Sequence, residues 1–240
     1  MAGCLYIVPT PVGNMADMSP RAIEILRKVS VIYAEDTRTS SVLMRHFGIE
    51  TPMLSHHKYN EHESYGGIVD RIVAGENIAL ISDAGTPGIS DPGFLLSREC
   101  RRAGVNVITL PGPTAFVPAL VNSGLPCERF CFQGFLPVKK GRATRIQEIA
   151  DSPVTNIVYE SPLRLSKTLR QLADVCGDDR EASVSREISK IHETTVRATL
   201  KELADFFSMN TPKGEIVIII APKTETKGTK IHINKYRSEN

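Results

Sequence analysis

The sequence concentrates groups suited to ligand binding in one glycine-rich segment, residues 82–93, which reads Ser-Asp-Ala-Gly-Thr-Pro-Gly-Ile-Ser-Asp-Pro-Gly. This central loop follows the apolar run 78–81 and precedes a helical pattern. Ligands of open α/β sheets bind beyond the carboxyl ends of the strands, where this loop must lie. Its glycines permit close approach of the backbone, and exposed N–H groups favour an anionic group such as a carboxylate. The sequence therefore predicts a ligand loop here, the alternative being a purely structural turn.

Three further segments follow predicted strands and should lie at the same edge of the sheet. They are a first loop at residues 9–14, the charged segment 35–38, and a proline-rich loop at residues 111–115. The charged segment either takes part in the site or forms a solvated ion-pair cluster. Its place at the end of a strand favours the site.

Charged groups also follow apolar runs in the second half of the chain. Residues 159–164 and 185–190 each combine glutamate with arginine, either as internal ion pairs or as the far wall of a cleft facing the central loop. A basic connection at residues 139–145 either contacts phosphates or is an ordinary charged loop. The candidate cationic residues of all these segments are Arg38, Lys139, Lys140, Arg142, Arg164, Arg186 and Lys190.

Several classes of function are excluded by the absence of their motifs. Neither G-x-G-x-x-G nor G-x-x-x-x-G-K-[ST] occurs, which argues against a dinucleotide oxidoreductase and a P-loop NTPase. His56, His57 and His62 match no zinc spacing, so we expect no metal and assign them to a polar or substrate-facing loop.

No apolar run is long enough for a membrane span. Five scattered cysteines without a Cys-x-x-Cys pair indicate a reducing compartment, and we expect a cytoplasmic protein.

The elements that must position these groups alternate regularly in the first half of the chain. Buried strands at residues 5–8, 29–34, 78–81 and 105–110, separated by helices, predict a parallel sheet. The second half has five candidate strands, at residues 130–133, 156–159, 182–185, 194–198 and 215–220, and only two clear helices, at 165–172 and 200–207. This spacing predicts a mixed sheet.

We therefore predict an N-terminal α/β domain at residues 1–114, a C-terminal mixed α/β domain at 115–222, and a basic polar tail at 223–240. The net charge of +2 is unevenly divided. Residues 1–115 carry 10 lysines and arginines against 12 acidic residues, whereas residues 116–240 carry 19 against 15. The imbalance favours an anionic partner for the second half, although a randomly uneven surface explains it as well.

Taken in order, these motifs resemble the tetrapyrrole methylase superfamily, the class III S-adenosylmethionine (SAM) methyltransferases. The resemblance spans about residues 5–222 and includes the four strand-end loops, Gly-Phe-Leu-Pro at 134–137, Tyr-Glu-Ser-Pro at 159–162 and Lys-Gly-Glu at 213–215. It implies a homodimer with SAM held in a cleft between the two domains. By motif position, the residues that the resemblance places around the cofactor are Val12, Gly13, Gly85, Thr86, Pro87, Ile89, Thr114, Ala115, Glu160 and Ser161.

Within that superfamily, the 35–38 and 160–164 segments resemble the ribosomal RNA branch. This resemblance implies methylation of a ribose 2′-hydroxyl in 16S rRNA of the small ribosomal subunit, at cytidine 1402. A ribose hydroxyl is a poor nucleophile, so a general base is expected, and Glu187 and Asp36 are the candidates. The cationic residues named above would hold phosphates.

The sequence departs from the family pattern at two places. Leu163 stands where the family usually has histidine, and Ile188-Ser189 replaces Leu-Thr before Lys190. Many members also continue into a small helical domain where this sequence has the basic tail, which puts RNA docking in doubt. The alternatives are a methyltransferase of the same fold acting on a tetrapyrrole precursor or a diphthine intermediate, and a non-catalytic nucleotide-binding regulator.

Overall fold

The computed structural model describes residues 2–57 and 61–223, with the side chains of residues 61–64 excepted. The predicted tail after Lys223, residues 58–60 and the side chain of His62 therefore lie outside the described part of the chain.

Five parallel strands form the first sheet, in the order β3-β2-β4-β1-β5. Helices on both faces cover them, and a short 3-10 helix, Met15–Asp17, follows β1. The strands are β1 Cys4–Ile7, β2 Val31–Ala34, β3 Met53–Ser55, β4 Ile78–Ile81 and β5 Asn106–Thr109. The helices are α1 Pro20–Lys28, α2 Thr37–His46, α3 Glu61–Val73 and α4 Phe94–Arg102.

The second sheet is mixed, in the order β6-β7-β10-β8-β9. Strands β6 and β7 are parallel, and the other neighbouring pairs are antiparallel. Its strands are β6 Phe130–Phe135, β7 Thr155–Glu160, β8 Glu181–Arg186, β9 Thr194–Thr199 and β10 Ile216–Ile220. Its helices are α5 Phe116–Ser123, α6 Arg142–Asp151, α7 Leu165–Cys176 and α8 Leu200–Met209. The predicted α/β class, with a parallel sheet followed by a mixed one, is confirmed.

Three of these strands and α-helices were not predicted. Strand β3 has only three residues, and its side chains are largely exposed, so it lacks an apolar run. Helix α5 follows directly on the proline-rich loop and carries Pro118 in its first turn, where proline is tolerated. Helix α6 begins at Arg142, inside the stretch predicted to be a basic connection, so that part of the prediction is wrong.

Capping side chains decide where the first helices begin. Ser19 caps α1 by accepting a 3.1 Å hydrogen bond from the backbone N of Ala22. Asp36 caps α2, which therefore begins at Thr37, because its side chain accepts a hydrogen bond from the backbone N of Arg38. Asp91-Pro92 has the residue types of a helix start, but α4 begins only at Phe94, with Gly93 at the cap position.

Each sheet has an apolar layer on both faces. Leu26, Ile32 and Ile81 lie in one layer of the first sheet, and Leu5, Ile78 and Leu96 lie in the other. In the second sheet, α7 and α8 pack over one face, while α5 covers the other. Within the described ranges, every helix is too short or too polar to cross a membrane.

Candidate functional site

A cavity of about 460 Å³ lies between the two sheets. On one side it meets the carboxyl ends of β1, β2 and β4 and the loop after β5; on the other it meets the carboxyl ends of β6, β7 and β8 and the start of β10. Its volume is in the range of small-molecule sites, and strand ends are where α/β sheets bind ligands. Residues from both halves of the chain therefore line this cavity.

Backbone hydrogen bonds fix the central loop against the first loop. Thr10 and Gly85 form an isolated antiparallel bridge, with both N···O distances 2.9 Å. The hydroxyl of Thr10 donates to the carbonyl of Ser82 at 3.0 Å, and that of Thr86 donates to the carbonyl of Pro113 at 3.3 Å. Gly85 has φ +82°, a conformation that side-chain-bearing residues rarely adopt. The central loop is thus held rigidly at the cavity.

Eight of the ten residues predicted to surround the cofactor line this cavity. Gly13 and Pro87 are the two that do not. A Cβ atom on Gly13 would lie 2.3 Å from Cγ of Lys190, so glycine is needed there for the close approach of the first loop to the second sheet. The eight are Val12, Gly85, Thr86, Ile89, Thr114, Ala115, Glu160 and Ser161.

Glu160 lines the cavity, but its carboxylate forms its contacts within the interior of the second domain. The side chain is fully buried and accepts hydrogen bonds from the backbone N of Ser161 at 2.7 Å and the hydroxyl of Thr168 at 2.6 Å. Nη2 of Arg164 lies 2.7 Å from the same carboxylate. Because these donors satisfy both oxygens, the carboxylate of Glu160 has a structural role.

Arg142 completes this buried group and is not available to a phosphate. Its side chain is only 11% exposed, with Nη2 3.9 Å from Glu160 and 2.6 Å from the hydroxyl of Thr168. Its other donors reach the carbonyl of Pro137 and the side chain of Gln171. The prediction of an RNA-contacting Arg142 is therefore corrected, because a charge this deep requires internal partners.

The other cationic candidates divide by exposure. The side chain of Arg38 is 90% exposed although it pairs with Asp36, and Lys139 and Lys140 are exposed. Arg164 pairs with Glu160, and Lys190 contacts Glu187 at 2.9 Å and Glu215 at 3.0 Å. Arg186 donates to the backbone carbonyls of His192 and Lys213 and reaches the hydroxyl of Thr194.

Both sequence-based candidates for the general base have the contacts of structural carboxylates. Asp36 caps α2 and forms two hydrogen bonds with the side chain of Arg38, which lowers its pKa to about 2. The pKa of Glu187 is also lowered, by hydrogen bonds from the backbone N of Glu215 and from Lys190. Neither side chain lines the cavity. A carboxylate with a lowered pKa is a weak base at neutral pH.

A different set of carboxyl groups forms an acidic wall of the cavity, made of Glu35, Asp83 and Asp91. Burial raises the pKa of all three, and repulsion from a neighbouring carboxylate adds to it, from Asp83 in the case of Glu35 and from Asp36 in the case of Asp83. The effect is largest for Asp91, whose pKa rises to about 7 through burial and the nearby charges of Glu35 and Asp83. The sequence signal for this wall was available, because Glu35 and Asp83 each follow adjacent strands by one or two residues.

The histidine-bearing stretch is only partly in the described chain. His56 is fully buried, with its ring 6.3 Å from that of Tyr33, so it belongs to the interior and not to a polar surface. The side chain of His62 lies outside the described residues. Among the residues that are described, no group of three or more histidine, cysteine or acidic side chains is arranged to hold a metal ion.

The sequence that forms this site also matches a protein-family model. The family is described as tetrapyrrole (corrin/porphyrin) methylases, and the match covers residues 4–204. The chain belongs to this family, a class of methyltransferases. Among individual proteins it is similar to ribosomal RNA small subunit methyltransferase I of Pseudomonas aeruginosa, with 48% identity over 92% of this chain and 79% of that one. The protein of the same name from Synechocystis is 47% identical over 92% of this chain and 80% of that one.

Solved structures show the same fold at low identity. A diphthine synthase superimposes with a TM-score of 0.72 at 14% identity, covering 91% of this chain and 90% of that one. The cobalt precorrin-4 methyltransferase CbiF superimposes with a TM-score of 0.67 at 18% identity, covering 91% of this chain and 94% of that one. At these identities, the likeness concerns the fold alone.

Proposed function

We propose that this protein is a SAM-dependent methyltransferase of the small ribosomal subunit, and that it methylates the 2′-hydroxyl of cytidine 1402 in 16S rRNA. The observation that carries the proposal is the cavity between the sheets, with its acidic wall, in a member of a methylase family whose relatives at 47–48% identity bear the name of a small-subunit rRNA methyltransferase.

The residues of the cavity fit SAM. The cofactor has two cationic centres, an ammonium and a sulfonium, and Glu35 and Asp83 of the acidic wall offer them opposite charge. Val12, Ile89, Ala115, Ile188 and Val217 supply apolar surface for the adenosine. The eight predicted residues that line the cavity are the proposed cofactor-binding residues.

When bound, SAM supplies a methyl group attached to a positively charged sulfur, which a ribose oxygen can attack. The part left to the protein is to hold the ribose in line and to accept its hydroxyl proton. We assign Asp91 as the general base that accepts this proton, because its carboxyl group lines the cavity and its pKa of about 7 suits that role at neutral pH.

Exposed cations favour an RNA substrate over a small molecule. Arg38, Lys139 and Lys140 lie on the surface, where they could neutralise phosphates. A homodimer in the cytoplasm is also part of the proposal, following the family resemblance, and analytical ultracentrifugation would measure the oligomeric state.

The test uses purified protein and SAM with a tritiated methyl group. We expect label in small ribosomal subunits, and mass spectrometry of nuclease fragments should place it on the ribose of cytidine 1402. Label in a tetrapyrrole precursor or a diphthine intermediate instead would replace the substrate assignment. Cofactor binding without transfer to any of them would favour a non-catalytic regulator.

A further inference from the structure

Phe135 is an exposed aromatic residue at the cavity. It is the last residue of β6, it lines the cavity, and 55% of its surface is accessible to solvent. A large apolar side chain left this open beside a ligand site is available for contact with a ligand.

A bulge in β6 directs this ring. The register with β7 shifts between Phe132 and Gly134, so one extra residue interrupts the alternation of side chains. Phe132 and Phe135 would face opposite sides of a regular strand, yet both contact Tyr159, with centroid distances of 5.1 and 5.6 Å. Gly134 has φ +62°, which glycine adopts without strain.

At the same bulge, the backbone of β6 approaches the central loop. A Cβ atom on Gly134 would lie 3.3 Å from Oγ of Ser90, which lines the cavity next to Asp91. Phe135 and Asp91, the residue to which the ribose proton is assigned, therefore line the same cavity.

The surroundings of Phe135 are typical of a nucleic-acid contact. The chain continues from it to the exposed residues Lys139 and Lys140, and neither takes part in any ion pair within residues 2–57 and 61–223. Proteins that bind unpaired nucleotides combine an aromatic surface for the base with cations for the backbone.

We propose that Phe135 is the stacking surface for the unpaired base of the nucleotide that is methylated. The inference rests on the proposed function and adds a residue that positions the substrate. Stacking on this ring would hold the base outside the RNA helix and so present the ribose to the cavity.

The experiment compares Phe135→Ala, Phe135→Leu and Phe135→Tyr with the unaltered protein. We measure kcat/KM for methyl transfer into small ribosomal subunits, the Kd of SAM by calorimetry, and thermal unfolding. The alanine and leucine variants should lose about 5- to 150-fold in kcat/KM, the usual effect of one base-stacking ring, and tyrosine should restore it. The Kd of SAM should stay the same.

Phe206→Ala is the matched control. Phe206 lies in α8, is 43% exposed, and meets its neighbour Phe207 edge to face, away from the cavity. Its replacement should leave kcat/KM unchanged.

Three results would overturn the inference: full activity in Phe135→Ala, full activity in Phe135→Leu, or a parallel loss of SAM affinity, which would assign the ring to the cofactor. If the unaltered protein transfers no methyl group to ribosomal subunits, it is the proposed function that fails.

Discussion

Thr10 and Gly85 exchange two backbone hydrogen bonds, N to O and O to N, each 2.9 Å long. This pair joins the loop after β1 to the loop after β4, although 75 positions separate the two residues in the chain. The pairing gives the central loop a fixed backbone before any ligand binds. The cofactor site that we propose is therefore preformed on this side of the cavity.

Replacing Gly85 with alanine should weaken cofactor binding by backbone strain alone. The new Cβ would lie 3.7 Å from Cγ1 of Val12, an ordinary contact, but φ +82° costs a residue with a side chain about 1–3 kcal/mol. Relief of this strain should distort the loop and lower the SAM affinity measured by calorimetry. Gly104→Ala is the control, because Gly104 has φ +71°, open space around it and no place in the cavity. Equal SAM affinity in both variants would remove the central loop from the site.

Asp91→Asn should lower kcat by about 10²- to 10⁴-fold, the usual contribution of a general base. In the unaltered protein, a pKa of about 7 means that the carboxyl group is mainly protonated at pH 6 and mainly ionised at pH 8. Activity should therefore rise with pH through about 7, and the variant should lose this rise.

The variant Asp36→Asn tests whether Asp36, a candidate from the sequence, is the general base instead of Asp91. Asparagine caps helices nearly as well as aspartate, so the fold and the pH profile should be retained. A profile abolished by Asp36→Asn and kept in Asp91→Asn would reverse the assignment. A large loss of SAM affinity in Asp91→Asn, with the pH profile unchanged, would instead give Asp91 the role of pairing with a cofactor cation.

Glu160→Ala should destabilise the protein by about 3–5 kcal/mol, because it leaves the charges of Arg142 and Arg164 without their buried partner. Denaturant unfolding measures this loss. For comparison, Glu148→Ala breaks the exposed ion pair with Arg145, whose side chains are 47% and 52% exposed, and should cost no more than about 1 kcal/mol. Similar losses in the two variants would contradict the structural role of Glu160.

Replacing Lys139 and Lys140 together with alanine should weaken binding to small ribosomal subunits most strongly at low salt. If each lysine neutralises one phosphate, the slope of log affinity against log salt should fall by about 0.7–0.9 per lysine. Lys201→Ala, on the exposed side of α8, should leave the slope unchanged. An unaltered slope in the double variant would show that the two lysines do not contact RNA. The same salt slope, measured on a variant truncated after Lys223, would test whether the predicted tail contacts RNA.

The fold could be predicted further than the site. Alternating apolar runs and glycine-rich strand ends indicated both sheets, and the motif order placed eight of ten cofactor candidates at one cavity. Glu160 illustrates the limit, because sequence position puts it at a strand end but cannot show that Arg164 and Thr168 turn its carboxylate inward. Asp91 illustrates the same limit. The Asp-Pro pair is typical of a helix start, and only the structure shows the burial and the nearby charges of Glu35 and Asp83 that raise the pKa of Asp91.

The strand orders also govern how the chain assembles during synthesis. Strand β1 lies between β4 and β5, so the first strand made must wait for residues 78–81 and 106–109 before it has neighbours. Strand β10 lies between β7 and β8, so the second sheet has a gap at its centre until residues 216–220 have left the ribosome. Such distant pairings slow folding. A nascent chain that stops at residue 214 would therefore carry a complete first sheet, while β7 and β8 still lacked the strand that joins them.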